Sequence, residues 1–480
     1  MSPVLDPATS LPSAGTLALG GAGALVVIAL LAALMRRHEQ ALPLLAILVL
    51  PFRVPISADG RTVNLLIPLY LVVAAGTLVH LLPRLLAWRA TRGDGAARAA
   101  DGAERLSTRQ LSFWGTPRGL EWLLLGAVGL YALQGIYSAD HTRAAENVAF
   151  FYVPFGLLFL LLREVRWTRE LLLRCLGIVV VLALLFAAVG FVEYSRKSLF
   201  LNPKVVEANQ YDNYFRVNSV FFDPSIYGRF LALVMSVIAT AVLWSRRRRD
   251  ILLGAFALAW LLAGLVTSFS QSSIVALLLG LAVLAAWRWS VRGTVYATAG
   301  LLALGGAVLL LAPTSLHFGL KGSSGSTSNA TSGRAKLVSG GLELFAERPL
   351  QGYGSGSFET EYKRHHRAST ANATSASHTI PVTVAAEQGI LGLAVYFALL
   401  VSAFLVLFRG AGRSPPRPKP GDARLALASP FRPALAACFA ALVLHTWTYA
   451  DFLEDPFTWA ILAIGVALAR SARAEPASSV

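Results

Sequence analysis

Apolar stretches near twenty residues long recur along the whole chain, and that length matches what a helix needs to cross a bilayer. Thirteen can be marked, centred on 16–35, 41–54, 63–83, 119–137, 147–162, 170–192, 224–244, 251–268, 272–289, 293–312, 379–408, 433–450 and 456–470. Inside hydrocarbon every backbone N–H and C=O must be paired within the protein, so stretches of this kind form helices. Composition agrees: 14% of the 480 residues are charged, against about 25% in soluble domains, and mean hydropathy is +0.60. The expected fold is all-α, a polytopic membrane protein with about 12–13 transmembrane helices.

A net charge of +16 suggests nucleic acid as a partner, but the distribution of the charge excludes it. Threading the thirteen spans alternately puts most of the 42 Lys and Arg on one side, including Arg36-Arg37, Arg163, Arg166, Arg246–Arg249 and Arg409–Arg432. The positive-inside rule makes that side cytoplasmic and the N-terminus outer, with attraction to anionic membrane lipids as a by-product. The first apolar stretch has no basic segment before it and is expected to be retained as a span. Cys175 and Cys438 both fall inside predicted spans, which leaves no disulfide framework or cysteine metal site.

Four parts follow from this threading. They are N-terminal transmembrane helices over 1–192 with a cytoplasmic insert near 84–118, central helices over 193–312 with an outer loop at 193–222, a large extracytoplasmic loop at 313–378, and C-terminal helices over 379–480. Arg89–Arg109 and Gly410–Pro430 have the composition of disordered insertions. The large loop opens on the polar tract KGSSGSTSNATSGR, expected to be flexible. Leu337, Leu342, Leu344 and Phe345 then mark an amphipathic helix over Arg334–Arg348, expected to lie on the membrane surface. The stretch PLQGYGSGSF reads as a tight turn; it lacks the Lys-Ser/Thr of a phosphate loop.

Ionisable groups at or within spans usually face a cavity or one another. On the outer side these are Arg216, Arg229, Arg334, His378 and Glu387, with Gln271 in the turn FSQSSI. His378 opens an apolar helix that Ser377 or Thr379 can cap and whose first turn accepts Pro381. The positive end of the helix dipole favours neutral imidazole, which can take a proton from a hydroxyl nucleophile. An interfacial histidine touching headgroups fits the same position. Glu387 lies about 13 Å further along the helix, near the bilayer centre, where pairing with a neighbouring helix, for instance through Arg229, is expected. Gly389 and Gly392 would let another helix approach. Arg216 and Arg334 have the forked geometry that suits phosphate, and beside a helix N-terminus they would make a diphosphate site; for Arg334 an ordinary surface charge fits equally. No carboxylate pair has a histidine or cysteine at ligand spacing on the outer side, so no metal and no other cofactor is expected.

Taken in order, SGRAKLVSGGLELFAERPLQGYGSGSF, then SHTIPVTVAAEQGILGL, with FRVNSVFFDPSIYGRFLALVM upstream, resemble the O-antigen ligase and O-antigen polymerase superfamily of bacterial membrane glycosyltransferases. The resemblance covers roughly residues 214–408. It implies a multi-pass protein of the bacterial cytoplasmic (inner) membrane that builds cell-envelope polysaccharide. A glycan linked to polyprenyl (undecaprenyl) diphosphate would be transferred, without metal and with inversion, to a glycan or glycolipid acceptor on the extracytoplasmic face. The resemblance assigns Arg334 to the diphosphate and His378 to the acceptor hydroxyl. Two positions depart from the family pattern: Gln271 stands where an Arg is common, and Thr379 follows the histidine where Asn often does. Arg216 is placed to take over from the missing Arg. The alternative is a transporter or flippase of lipid-linked oligosaccharide, a class marked by repeated halves and interrupted helices near the midplane. No internal repeat is visible, and the polar positions gather on one side.

Overall fold

The structure, a computed structural model, describes residues 14–58, 61–93, 115–200, 215–300, 326–366, 377, 379–409, 423–449 and 451–471. It is helical almost throughout. α1 (Ala14–Arg37) and α2 (Ala41–Val49) lead into a two-stranded antiparallel hairpin, β1 (Val54–Ala58) and β2 (Arg61–Leu65), with Val54 opposite Leu65. α3 (Ile67–Gly76) and α4 (Leu82–Gly93) run on through a π-helical turn at Thr77–Leu81. Next come α5 (Pro117–Gly135), α6 (His141–Asn147) and α7 (Val153–Leu162), the last two joined by a π turn at Val148–Tyr152. α8 (Arg169–Arg196), α9 (Pro224–Trp244), α10 (Arg248–Thr267) and α11 (Gln271–Arg288) are long apolar helices. A helical stretch covers 291–300. α12 (Ser326–Glu347) and α13 (Phe358–His366) belong to the large loop, and α14 (Ile380–Leu407), α15 (Ala423–Thr448) and α16 (Pro456–Ser471) complete the chain.

Among the described residues, eight helices are long and apolar enough to cross a membrane. The expected span at 41–54 is not one of them. α2 has nine residues, about 13 Å of rise against a hydrocarbon core of about 30 Å, and the chain continues into the hairpin, which the all-helical expectation missed. The remainder of the span expected at 293–312, the insert over 94–114 and the linker over 410–422 lie outside the described residues.

α9 is the centre of the bundle. Asp223 caps it, its carboxylate accepting the Ser225 N–H at 2.6 Å, and Pro224 occupies the first turn, where no N–H partner is needed. Almost every residue from Pro224 to Thr240 is buried, as expected for a helix that is apolar all round. It packs against α8, α10, α11 and α15.

Charged side chains gather in two places. In the first, Glu121 pairs with Arg163 at 2.8 Å and Arg470 at 2.5 Å, while Glu164 meets Arg84 at 3.3 Å. In the second, Arg53 stacks over Phe222, 5.0 Å from the ring centroid, beside the loop that carries Asp451 and Asp455.

Candidate functional site

The site is organised by a break in α14. Gly389 has φ 63° and ψ −160°, so the helix is interrupted one residue after Gln388. A break leaves carbonyls and N–H groups without partners inside the helix. The glycine-rich loop supplies them: Tyr353 N–H donates to Ala386 O at 3.1 Å, Gly354 N–H to Glu387 O at 2.8 Å, and Ile390 N–H to Pro349 O at 2.8 Å. A Cβ at Gly352 would sit 2.3 Å from Glu387 O, and one at Gly389 would sit 2.4 Å from Leu350 O. Glycine is therefore required on both sides of the contact. The end of α5 closes the far side, where Tyr137 OH donates to Gln351 O at 2.7 Å and Ser138 Oγ to Ser355 O at 2.8 Å.

Glu387 completes this seat. Its carboxylate accepts the Gly356 N–H at 2.8 Å and the Phe358 N–H at 3.1 Å, tying down the first turn of α13. Two sequence expectations are corrected here. Glu387 does not pair with Arg229; it holds the backbone of the 349–358 loop, which meets it at the helix break. Gly389 admits that loop and not a second helix, while a Cβ at Gly392 would meet the Gln388 side chain of the same helix at 2.1 Å.

α12 rests on the same platform. A Cβ at Gly341 would meet Val382 Cγ1 at 2.5 Å, and one at Gly340 would meet Tyr362 Cε2 at 2.5 Å, so the glycine pair lets α12 cross closely over α13 and the first turn of α14. Leu337 and Leu344 bury against Tyr353, Phe358, Tyr362 and Ala386. Two residues of the amphipathic face, Leu337 and Leu344, thus pack on protein while Leu342 stays exposed, and the polar tract expected to be flexible is helical from Ser326. Arg334 is in α12, about 10 Å or two turns before Gly341; its side chain lies outside the described residues. His378 also lies outside them. Its neighbour Ser377 is buried, and Ser377 N–H donates to Thr383 Oγ1 at 3.1 Å, anchoring the entry to α14. Thr379 occupies the N-cap position without a side-chain cap, and Pro381 sits in the first turn as expected.

Arg216 and Gln271 meet at one turn. Arg216 Nε donates to Ser268 O at 3.2 Å, and Gln271, exposed, begins α11 two residues after Phe269, whose φ is 48°. Arg229 is buried and bound to Asp455, with Nη2 2.8 Å from Oδ2, and Nη1 reaches Asp451 O at 3.5 Å. Asp455 also accepts the Phe457 N–H at 2.8 Å at the start of α16.

Two groups escaped the sequence reading. His445, fully buried on α15, places Nε2 3.2 Å from Ser273 Oγ and 3.3 Å from Ser272 Oγ. A lone histidine in LVLHTW was its only signal. The acidic run in ADFLEDPF was the signal for the second, the loop of Asp451, Glu454 and Asp455. Burial, and after it the Asp451 carboxylate, pushes the Glu454 carboxyl up to about 8. Burial also raises Asp455, against the opposing pull of Arg229 and Arg53.

Beside the first turns of α14 is a cavity of about 120 Å³, bounded by α5, α6, α14 and the loop of Asp451. Ile380, Thr383 and Glu387 line it from α14, Tyr131 from α5, Arg143 and Asn147 from α6, and Glu454 from the loop.

No curated protein matches the chain. A family model described as O-antigen ligase matches residues 256–397, a stretch that runs from α10 to the middle of α14 and contains Gln271, Arg334, His378 and Glu387. Over that stretch, somewhat under a third of its length, the chain is similar to the O-antigen ligase family.

Proposed function

We propose that this protein transfers a glycan from polyprenyl diphosphate to a sugar hydroxyl at the extracytoplasmic face of the bacterial cytoplasmic membrane. The observation that carries the reading is the family match over 256–397, within which α12, which carries Arg334, and α14, which begins two residues after His378 in the chain, cross at Gly341 and Val382. The acceptor oxygen attacks the anomeric carbon from the face opposite the diphosphate. The bond from that carbon to the diphosphate oxygen breaks with its electron pair, and polyprenyl diphosphate departs. His378 takes the hydroxyl proton as general base. Arg334, with Arg216 and Gln271, binds the diphosphate, which needs charge stabilisation more than a proton. The reaction asks for no metal. Glu387 and Arg229 support the site: one seats the outer loop and the other anchors the loop of Asp451.

A transporter of the same lipid-linked glycan is the second reading, and the interrupted helix at Gly389 is the observation that favours it. That break is filled by protein backbone from the 349–358 loop, which argues for a structural purpose. A glycan-ladder gel of a strain lacking the protein separates the outcomes. Loss of long chains indicates polymerisation, long chains left unattached indicate ligation, and lipid-linked units accumulating on the cytoplasmic side indicate transport.

A further inference from the structure

The cavity beside α14 combines features that a diphosphate site would not. Glu387, Asp451 and Glu454 face it with Arg143 as the one guanidinium among the lining residues, so its charged groups are mostly carboxyls. An anionic donor group would find a single guanidinium there instead of the paired forks that hold a diphosphate. Hydrogen-bonding capacity is left over as well. Asn147 is 5% exposed, and its Nδ2 donates to Tyr131 OH at 2.7 Å and Glu454 Oε1 at 3.2 Å, while its Oδ1 accepts from no described residue. Each Glu387 oxygen accepts one backbone N–H and retains a second lone pair. The Tyr131 ring forms part of the wall. An apolar cavity of about 150 Å³ takes up benzene, so about 120 Å³ is on the scale of one six-membered ring.

We propose that this cavity is a subsite for one neutral, hydroxyl-rich sugar ring. Its designation as the acceptor's subsite rests on the transferase reading. Ile380, two residues after His378 in the chain, lines the cavity. Asn147 Oδ1 and the carboxyl oxygens accept from ring hydroxyls, and Tyr131 covers an apolar face of the ring.

The test uses the purified full chain in detergent, with saturation-transfer NMR on the methyl glycosides of glucose, galactose and N-acetylglucosamine. At least one glycoside should bind saturably, Asn147→Ala and Glu454→Gln should each weaken it by about tenfold, as for loss of a buried hydrogen bond, and inorganic diphosphate should not displace it. Glu454→Gln keeps the side-chain shape and carries the test if Asn147→Ala fails to fold. Absence of binding by every glycoside, wild-type affinity in the folded variants, or displacement by diphosphate overturns the proposal. The two readings fail separately. A chain that binds glycoside here but transfers no glycan contradicts the transferase alone. One that transfers glycan while both variants keep the wild-type acceptor KM contradicts the subsite alone.

Discussion

The carboxylate of Glu387 and the backbone N–H of Phe358, 29 residues apart in the chain, are joined by a hydrogen bond of 3.1 Å across the break in α14. Through this bond and its companion to Gly356, a residue within an apolar helix sets the position of the 349–358 loop. Removing the carboxylate strands two buried N–H groups, each at a cost of about 1–3 kcal/mol. Glu387→Ala should therefore lower the melting temperature and yield. Glu387→Gln, with one oxygen left to accept, should recover part of both. A Glu387→Gln variant that melts like wild type but transfers nothing would assign the carboxylate a chemical role instead.

Gly389→Ala tests the same seat from the other partner. The substitution combines a positive φ with a Cβ 2.4 Å from Leu350 O, and should destabilise by more than the roughly 1 kcal/mol typical of a favourable glycine replacement lost. Thermal unfolding followed by tyrosine and tryptophan fluorescence reads the effect; an unchanged midpoint contradicts the docking of the loop into the break.

The helical class and the membrane-length helices were legible because hydropathy carries them. The seat was not. Glu387 in an apolar run invites a cross-helix ion pair, and nothing local reveals that the chain turns at Gly389 to admit residues 349–358. Likewise Arg229 finds Asp455, 226 positions later, by tertiary packing; only the run ADFLED hinted that carboxyls were available. The hairpin at Val54–Leu65 was hidden by the apolar residues that made 41–54 resemble a span.

Arg229 and Asp455 are 3% and 1% exposed at their side chains. Removing one partner of such a pair leaves a buried charge and costs about 3–5 kcal/mol. Arg229→Met should be severely destabilised, and Arg229→Met combined with Asp455→Leu should be more stable than either single change. Additive losses in this double-mutant cycle, read by thermal melting, would show that the pair is not coupled.

Glu454 supplies a pH dependence. Its carboxyl, near 8 in the folded chain, lies above the ordinary value of about 4.3, so the folded state keeps a proton that the unfolded state releases. The associated stability is present below the ordinary carboxyl range and is lost as pH rises toward about 8. The melting temperature should fall over that window, and Glu454→Gln should flatten the fall. Parallel curves for the two proteins would contradict this.

Arg334 is expected to act through its fork. Arg334→Ala should abolish transfer at normal expression and folding, and Arg334→Lys should restore little, since a point charge keeps the attraction but loses the bidentate geometry. Wild-type transfer by Arg334→Ala would remove this residue from the donor site.

The central claim is that the bond between glycan and diphosphate breaks on this protein. The direct measurement reconstitutes the purified chain in liposomes with a polyprenyl-diphosphate-linked glycan and a glycan acceptor, in buffer containing EDTA, and follows both the glycan and the released lipid. The account predicts a larger glycan product with stoichiometric free polyprenyl diphosphate, neither of them formed by His378→Ala. Recovery of intact donor, whether left in place or moved to the opposite leaflet, would contradict it.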